Sequence, residues 1–467
     1  MLLKKLLRRT ARSELSMISI SDLRNFKRRV LVIGQTPPPY GGQAIMIQSL
    51  VEARFERIEV HHVRMSFSGY HSRSGRFTSR KLLVLFAVIA QSIYYKFRYR
   101  TDTLYYPPSG PNLIPIIRDI IILSFLRLFF KKKIYHFHAA GLSDYLKQHG
   151  RVFSWIAKWA YGRPDLAIEN SSLNPKDGEY ISAKRILIIP NGLDDHANMK
   201  LIAHHAYDSP DVAIQLSRLN PADGPYFHPR RVFNIPNGIE DNYSSNAERT
   251  RNRGKEKVRL LYVGVLSETK GVLVLLEAVK LLKASGLDFC LDLMGEYATR
   301  ELEIRVRDLR KAYELEDIVS SIGVKTGSEK EQVFLRSDIF CFPTFFESES
   351  FGNVLLEAMM FELPIVATAW RAIPEIVDDG INGFVVPIRN PGVLAEKIAL
   401  LISDGELRRR MGAEGRKKFV KEYSLSKHLE RMEAALSSVL DLPDTAETSQ
   451  VEEQQIEDHM RTGGKPT

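Results

Sequence analysis

The alternation of apolar and polar positions predicts short strands separated by helices along almost the whole chain. The first strand-like run is RRVLVIG at 28–34, and helical runs such as 271–285 and 353–361 separate later ones. The other strand-like runs lie at 57–63, 102–107, 133–138, 258–266, 288–295, 317–323, 337–343, 363–368 and 382–387. Strands that alternate with helices predict a parallel sheet wrapped by helices. The polar, turn-rich stretch at 242–257 divides this pattern, which therefore predicts two α/β domains joined by a linker.

A gapless internal repeat lies before this linker. PDLAIENSSLNPKDGEYISAKRILIIPNGLDD at 164–195 and PDVAIQLSRLNPADGPYFHPRRVFNIPNGIED at 210–241 are identical at 17 of 32 positions. Two copies are too few for a solenoid, which needs about three or more units to bury a core. The interpretation is a duplicated helix–strand module, with copy one at 152–195 and copy two at 198–241, inside a larger domain.

The charge of the chain is unevenly distributed. The net charge is +10, from 66 Lys and Arg against 56 Asp and Glu. Residues 1–250 carry 36 basic and 20 acidic residues (+16), which leaves 66 − 36 = 30 basic and 56 − 20 = 36 acidic residues (−6) for the rest. A basic first half predicts contact with an anionic partner. No nucleic acid is expected as that partner, because no helix-turn-helix, RRM or zinc-finger pattern is present.

Apolar stretches with basic edges suggest a membrane surface instead. RKLLVLFAVIAQSIYYKFRYR (80–100) and LIPIIRDIIILSFLRLFFKKK (113–133) are too short or too interrupted for the ~20 apolar residues of a bilayer span. Either they dock on anionic lipid or they are ordinary core helices, and the sequence leaves both readings open. The basic amphipathic segment 1–29 lacks the continuous apolar region of a signal peptide, and it is predicted to dock. Cys290 and Cys341 lie in apolar strand-like runs, which indicates reduced thiols in a cytosolic protein.

The stretch FPTFFESESFGNVLLEAMMFELPIVAT (342–368) is the most informative for chemistry. A strand ends near Pro343, and Gly352 and Asn353 open a helix whose free N–H groups attract phosphate. Glu357, about one turn into the helix, is suited to accept hydrogen bonds from vicinal hydroxyls. Glu349 precedes the helix and points beyond the phosphates. The pattern predicts a sugar–diphosphate–nucleoside over the helix start, whereas the simpler reading is that Glu357 only favours the positive helix end.

From Val30 to Leu440 the chain resembles the retaining GT-B glycosyltransferases often numbered family four. The resemblance rests on Glu349 and Glu357, spaced E-x7-E within ESFGNVLLEAM, and on the following LPIVAT and IPEIVDDGINGFVVP. It implies an α/β GT-B fold of two Rossmann-like domains that face each other across a cleft, here with a duplicated module in the first. The implied reaction is transfer of a hexose from a nucleotide-diphosphate sugar to a glycan or lipid-linked acceptor.

The resemblance also assigns candidate residues. The candidate catalytic residues are Glu349 and His138. Glu349 binds donor-sugar hydroxyls, and His138 of YHFHAAG borders the reacting carbon. Glu357 holds the ribose. The remaining donor-binding residues are Gly41, Gly42, Lys270, Phe351, Gly352 and Asn353. Lys270, in VGVLSETKG, balances the charge of the leaving phosphate.

No metal or cofactor is expected, since a lysine and a helix dipole take the place of a metal ion and no Asp-x-Asp clamp stands out. Retention then implies front-face attack, in which the donor's phosphate oxygen accepts the acceptor's proton. The chain departs from the family pattern at Val265, where an Arg is usual, so that one cation is missing unless Arg336 or Lys325 replaces it. His136 is read as a core or supporting residue.

Several alternatives stay open. In such enzymes the IPNG turn closes the first domain, so copy two is expected to hold that position and copy one to be the insert, although the reverse register is also compatible. The implied place of action is cytoplasmic, peripheral at the inner face of the membrane. A catalytically weak GT-B partner subunit that binds glycan or membrane is the second functional reading. A hexose-phosphate epimerase on the same fold would need acid/base pairs, and the sequence shows none. The predicted layout is 1–29 basic segment, 30–241 acceptor domain, 242–257 linker, 258–425 nucleotide-sugar domain, 426–443 helix that could cross back, and 444–467 disordered tail.

Overall fold

The computed structural model describes residues 27–38, 40–65, 79–197 and 257–440, without the side chains of 79–81. Most of the basic segment 1–29, copy two of the repeat, the linker up to residue 256 and the tail 444–467 lie outside the described residues. The predictions made for those segments therefore remain predictions.

The chain divides into two compact units. Of the described residues, unit 1 comprises those up to Gly192, the segment Glu347–Phe351 and those from Ser426 to Leu440. Unit 2 comprises the described residues of 193–346 and Gly352–Leu425. The helix predicted at 426–443 thus belongs to unit 1, where it is observed as Leu425–Leu440.

Unit 1 is built on a six-stranded parallel sheet of order β2-β1-β3-β4-β5-β6. Its strands consist largely of apolar runs, as expected for strands covered on both faces. They are β1 (Arg28–Gly34), β2 (Ile58–Arg64), β3 (Thr103–Tyr106), β4 (Lys132–Phe137), β5 (Leu166–Glu169) and β6 (Ile186–Ile188). Copy one of the repeat supplies β5 and β6, the two short strands predicted for it.

Helices cover both faces of this sheet. They are α1 (Gly42–Glu52), α2 (Ser79–Arg98), α3 (Leu113–Leu126), α4 (Leu142–Gln148), α5 (Arg151–Tyr161), α6 (Asp177–Tyr180) and, at the chain's end, the helix Leu425–Leu440, numbered α14 below. Successive side chains of a strand point to opposite faces. Accordingly, Leu31 and Ile33 pack with α2, α3, α4 and α5, whereas Val30 and Val32 pack with α1 and α14.

The two apolar stretches at 80–100 and 113–133 form α2 and α3 and contribute to the core. Leu85, Val88 and Ile116 are buried against the sheet. The core-helix reading is therefore confirmed for one face of each helix. Across the described ranges, the helices are too short or too polar to cross a membrane.

Unit 2 contains a second six-stranded parallel sheet, of order β12-β11-β10-β7-β8-β9. Its strands are β7 (Val258–Val263), β8 (Phe289–Met294), β9 (Val319–Gly323), β10 (Ile339–Phe342), β11 (Ile365–Thr368) and β12 (Gly383–Val386). Its helices are α7 (Val272–Ala284), α8 (Arg300–Ala312), α9 (Gly327–Leu335), α10 (Asn353–Met360), α11 (Ile373–Ile376), α12 (Pro391–Ser403) and α13 (Gly405–Lys418), followed by a π-helical turn at Phe419–Tyr423. The two Rossmann-like units predicted from the sequence are thus observed.

The described residues show where the chain leaves unit 1. Gly192, directly after the IPNG turn of copy one, is the last described residue of unit 1 before the chain enters unit 2. The next residues join unit 2, where Leu193 N–H donates to Tyr423 O and Asp195 forms a two-pronged ion pair with Arg416. Within the described residues, copy one therefore ends at the boundary of unit 1.

Candidate active site

Both sheets reverse their strand order at one point, and ligands of open α/β sheets bind beside the carboxyl ends of the strands there. In unit 2 this point lies between β7 and β10, the two central neighbours. The loop after β7 carries Lys270, and the loop after β10 leads to Gly352 and Glu357. The candidate residues of unit 2 therefore lie at the position where the fold favours a ligand.

The two loops are held against each other. Phe345 N–H donates to Thr269 O at 2.8 Å, and Gly271 packs so closely that a Cβ atom on it would lie 2.0 Å from Pro343 O. Gly271 also has φ +83°, which favours glycine. The Lys270 ammonium lies 4.8 Å from the centre of the Phe346 ring, within cation–π distance. Lys270 is thus fixed beside the loop that precedes α10.

α10 begins after a glycine N-cap that makes no side-chain capping hydrogen bond. Gly352 is its N-cap with φ +80°, and Asn353 is its first residue. A left-handed N-cap without a side-chain cap is a position that glycine fills at little cost. Glu357 follows one turn into the helix, and its side chain is about a quarter exposed. The sequence prediction that Gly352 and Asn353 open a helix carrying Glu357 is confirmed as local structure.

Glu357 has a partner that sequence reasoning missed. Lys330, in the first turn of α9, donates from Nζ to Glu357 Oε1 at 2.6 Å. Both side chains are only about a quarter exposed, so the pair is less screened than most surface ion pairs. The stretch SEKEQ at 328–332 reads as a solvated helix start, which gave no signal of this contact. A cation is therefore present beside the carboxylate proposed to hold the ribose.

One proposed replacement for the missing arginine at Val265 is wrong. Arg336 donates to Asp292 at 3.0 Å, and Arg259 joins the same carboxylate. Arg336 precedes β10, whereas the loops with Lys270 and Gly352 follow the carboxyl ends of their strands. Arg336 therefore lies at the amino ends of the strands, opposite the candidate site. Lys325 follows β9, at the carboxyl ends of the strands, and its Nζ lies 3.7 Å from the Glu329 carboxylate.

In unit 1 the order reverses between β1 and β3. Gly41 follows β1 in an extended conformation, with φ −158°, and caps α1, whose first residue is Gly42. A Cβ atom on Gly41 would meet nothing within 4 Å. Gly41 thus needs neither positive φ nor close packing, and the two glycines lie where the first helix after β1 begins.

His138 follows the end of β4 and belongs to a polar network on unit 1. Tyr105 OH lies 2.7 Å from His136 Nδ1 and 3.4 Å from His138 Nε2. His136 Nε2 donates to Asn170 Oδ1 at 2.9 Å, so its Nδ1 carries no hydrogen and accepts a hydrogen bond from Tyr105 OH. The Tyr105 oxygen then accepts from His138 Nε2–H. This leaves His138 Nδ1 as a buried acceptor, and it has no hydrogen-bond partner in the part of the chain that the structure describes.

Burial keeps these histidines neutral. Burial and the nearby His428 ring lower the pKa of His136 to about 3. Burial, with His136 and His428 as further causes, holds the pKa of His138 well below its usual value. A neutral His138 accepts or donates hydrogen bonds at neutral pH but carries no charge. The reading of His136 as a supporting residue fits its position, since it is 1% exposed and contacts the ring of His138 at 3.9 Å.

The segment that carries Glu349 is attached to this network. Ser350 Oγ donates to His138 O at 2.5 Å, and Asn174 donates to Ser350 O at 2.7 Å. Asn170 Nδ2 lies 3.4 Å from Ser350 Oγ. Glu349 is 9% exposed and Phe351 2% exposed within the same segment. Unit 1 therefore groups His138 with Glu349 and Phe351, whereas Gly352, Asn353, Glu357 and Lys270 belong to unit 2.

Tyr105, Asn170 and Asn174 were not predicted. Asn170 and Asn174 lie in copy one of the repeat, and copy two has Leu216 in place of Asn170. A leucine can neither accept from His136 nor donate to Ser350. This difference between the copies was readable in the sequence, but its meaning depends on contacts that only the fold reveals.

Comparisons with known proteins show what parts of the chain are similar to. Residues 245–418 match the sequence model of the family Glycosyl transferases group 1. The amylovoran biosynthesis glycosyltransferase AmsK of Erwinia amylovora is 32% identical over 155 residues, which are 32% of this chain and 37% of that protein. The capsular polysaccharide biosynthesis glycosyltransferase CapM of Staphylococcus aureus is 30% identical over 179 residues, 38% of this chain and 46% of that protein. The matched stretch thus spans less than half the length of these curated relatives.

Solved structures show the fold over most of the chain. Sucrose-phosphate synthase from Thermosynechococcus elongatus superposes with a TM-score of 0.59 at 17% identity, covering 89% of this chain and 100% of that chain. HepE of Anabaena, solved with UDP and glucose, has a TM-score of 0.57 at 17% identity and covers 88% of this chain and 100% of that chain. The two-unit GT-B architecture predicted from the motifs is confirmed. Residues 245–418 are therefore similar to the group 1 glycosyltransferases.

Proposed function

We propose that the protein transfers a hexose from a nucleotide-diphosphate sugar to a glycan or lipid-linked acceptor in polysaccharide biosynthesis. The observation that carries this proposal is the convergence of Lys270, the Gly352 helix start and Glu357 at the switch point of unit 2. Together they offer a cation, the backbone N–H groups of a helix start and a carboxylate, the groups needed for a diphosphate and its ribose. The names of the relatives AmsK and CapM support a role in polysaccharide assembly.

In this proposal unit 2 binds the nucleotide. The helix start at Asn353 and the Lys270 ammonium hold the diphosphate, and Glu357 accepts hydrogen bonds from the ribose hydroxyls. Lys330 orients the Glu357 carboxylate by occupying Oε1, which leaves Oε2 for the ribose. Lys330 also adds positive charge near the nucleotide. The diphosphate loop has one cation fewer than the family pattern, because it carries Val265 where an arginine is usual.

The groups that handle the sugar belong to unit 1. Glu349 accepts hydrogen bonds from the donor hexose, and His138 presents its Nδ1 lone pair to a hydroxyl of the donor or of the acceptor. Gly41 and Gly42 contribute backbone N–H groups. In a retaining front-face transfer, the bond from the anomeric carbon to phosphate breaks as the acceptor oxygen bonds to that carbon on the same face. The acceptor's proton moves to the departing phosphate oxygen, so no protein nucleophile or metal ion is required.

We also propose that this reaction takes place in the cytoplasm, at the inner face of the membrane, where a lipid-linked acceptor is available. The basic first half of the chain supports contact with an anionic membrane. No nucleic acid partner is proposed.

A screen of nucleotide sugars against the full-length protein tests the reaction. UDP-, GDP- and ADP-hexoses are incubated with a lipid extract as acceptor, and nucleoside diphosphate release and radiolabelled product are measured. We expect one donor class to give both signals in the presence of EDTA, with the product in the donor's anomeric configuration. Donor binding without transfer would favour the catalytically weak partner subunit, and the absence of any donor binding would remove the proposal.

A further inference from the structure

Three adjacent helices of unit 1, α2, α3 and α5, expose apolar stripes at helical spacing. Helices on the surface of a soluble domain normally turn polar residues outward. Here the inner face of each helix packs on the sheet, and the outward face is apolar as well. The exposed stripes are Leu83, Phe86, Tyr94 and Phe97 on α2; Ile114, Ile117 and Phe125 on α3, continued by Leu128; and Val152, Trp155 and Trp159 on α5.

The exposure of these side chains is unusually large. Leu128 is 78% exposed, Val152 73%, Leu83 71% and Trp155 68%. Away from α2, α3, α5 and Leu128, the described residues of unit 1 expose only Tyr40, Leu173 and Ile188 among large apolar side chains. Contiguous apolar surface of this kind marks an interaction site, whereas scattered single residues do not.

The stripes form one continuous surface, named the α2–α3–α5 face below. Phe97 of α2 contacts Phe129 after α3, with ring centres 6.3 Å apart. Arg127 lies 4.4 Å above the Trp159 ring of α5 and donates to Trp159 O at 2.6 Å. Aromatic and cationic contacts therefore join each stripe to the next.

The exposed charges within α2, α3 and α5 are all positive. Asp119 is the only acidic residue within α2, α3 and α5, and it is fully buried. There it accepts from Tyr106 OH at 2.7 Å and from Tyr161 OH at 3.0 Å. Cations border the stripes where they end, at Arg98, Lys131 and Arg151, and all three are exposed. The three helices expose no carboxylate, and the nearby Asp102, whose side chain is 55% exposed, is paired with Lys96 of α2. An apolar surface with such a positive rim complements an anionic surface with an apolar interior.

We propose that the α2–α3–α5 face docks on the surface of an anionic phospholipid bilayer. The apolar stripes insert at the level of the lipid headgroups, Trp155 and Trp159 anchor at the interface, and Arg98, Lys131 and Arg151 contact lipid phosphates. Tryptophan favours that level because one edge of its ring is polar. This inference deepens the membrane contact proposed above, but it needs neither donor nor acceptor and does not depend on the reaction.

Vesicle flotation of the full-length protein tests the proposal. Phosphatidylcholine vesicles are compared with vesicles containing 30% phosphatidylglycerol, and W155A/W159A and L83S/F86S are compared with the matched unit 2 control L400S/V420S, whose targets are also exposed. We expect both face variants to lose at least about tenfold in binding to anionic vesicles, with the control unchanged. Replacing Arg98, Lys131 and Arg151 by Gln should cost about fivefold for each cation, and added salt should reduce that difference.

Tryptophan fluorescence supplies a second readout. The chain has three tryptophans, of which Trp155 and Trp159 lie on the face and Trp370 lies in unit 2. Brominated lipids should quench the wild-type emission, and W155F/W159F should abolish the quenching while W370F preserves it. Phenylalanine at these exposed positions leaves folding intact, which circular dichroism verifies.

Other occupants give distinct results. Face variants that float like the wild type, while a full chain with Lys4, Lys5, Arg8 and Arg9 changed to Gln no longer floats, would assign docking to the N-terminal segment and overturn the proposal. Sedimentation in which the wild type is a dimer and W155A/W159A a monomer, without any change in vesicle binding, would assign the face to a second copy of the chain. Transfer to a soluble acceptor without vesicle binding would refute the docking proposal but not the proposed reaction. Vesicle binding without transfer would refute the proposed reaction but not the docking.

Discussion

Lys330 Nζ lies 2.6 Å from Glu357 Oε1, and this pair connects the first turn of α9 to the helix that begins at Gly352. A carboxylate has two oxygens, and an ammonium that occupies one of them fixes the direction of the other. If Glu357 holds a ribose, Lys330 therefore decides how well the carboxylate is placed.

Glu357→Ala should weaken the binding of the nucleoside diphosphate, because it removes the acceptor of the ribose hydroxyls. Loss of hydrogen bonds to a charged group costs about 1.5–3 kcal/mol, a factor of about 10–150 in Kd. Calorimetry with UDP and GDP measures the change, and the exposed Glu396→Ala is the matched control. Unchanged affinity in a folded Glu357→Ala variant would exclude Glu357 from the site.

Lys330→Met should weaken the same binding by about five- to tenfold, less than Glu357→Ala, because the carboxylate remains but is no longer oriented. In a double-mutant cycle with Glu357→Gln, the two losses should not add, since they act on one interaction. Lys397→Met is the control, because Lys397 also pairs with a neighbouring glutamate, at 2.9 Å. Tighter nucleotide binding by Lys330→Met would mean that the lysine competes with the ribose for the carboxylate.

The extent of sequence prediction differs between these two residues for a physical reason. Glu357 was predictable because a strand end, a glycine and a helix start follow one another along the chain, and such local order fixes where a carboxylate lies. Lys330 precedes Glu357 by 27 residues on another helix, and their contact depends on which strands become neighbours. Tyr105 and Asn170 were missed for the same reason. The outward stripes of α2 and α3 were also ambiguous, because a helix that is apolar on all sides has the same pattern in a core and on a membrane surface.

His138→Ala should lower kcat more than it weakens donor binding, because the free Nδ1 lone pair is proposed to act at the reacting carbon and not on the nucleotide. Removing one well-placed polar group from a transition state costs about 2.7–4 kcal/mol, or about 10²–10³ in rate. Single-turnover rates and donor Kd are measured separately. Tyr105→Phe should give a smaller loss of rate at full donor affinity, because it loosens both histidines without removing either. Equal losses of rate and affinity for His138→Ala would make His138 a structural residue.

The buried histidines should make unit 1 sensitive to acid. The pKa of His136 is lowered to about 3 and that of His428 to about 4, mainly by burial, while the unfolded chain titrates near 6.5. Below pH 6.5 the unfolded state therefore binds more protons than the folded state, and stability falls as pH falls from 6.5 towards 4. Each buried histidine should contribute a slope of about 1.4 kcal/mol per pH unit in this window.

Urea unfolding at pH 7, 6 and 5 measures that slope. His428→Gln should reduce it, because the amide can still donate to Pro190 O, as His428 Nδ1 does at 2.7 Å, without titrating. The exposed His149→Gln should leave the slope unchanged. A slope that persists in full in His428→Gln would mean that this histidine is not the titrating group.

The duplicated turn gives the last prediction. Copy one meets three conditions in the described structure: it ends at the boundary of unit 1, its Asn170 bonds His136, and its Asn191 is 4% exposed beside the Pro190 carbonyl that His428 contacts. We therefore propose that copy one is the working module, the reverse of the register that the sequence favoured.

Asn191→Ala should then cost about 1–3 kcal/mol of stability and reduce turnover, because it removes a buried polar group from the end of unit 1. Asn237→Ala, the same change in copy two, should leave the donor affinity and kcat of the folded protein within about twofold. Asn170→Leu, which copies the residue that copy two has at this point, should lower kcat by freeing His136 and Ser350. The variants are compared at matched folded fraction. A larger loss of turnover from Asn237→Ala than from Asn191→Ala would return the working position to copy two.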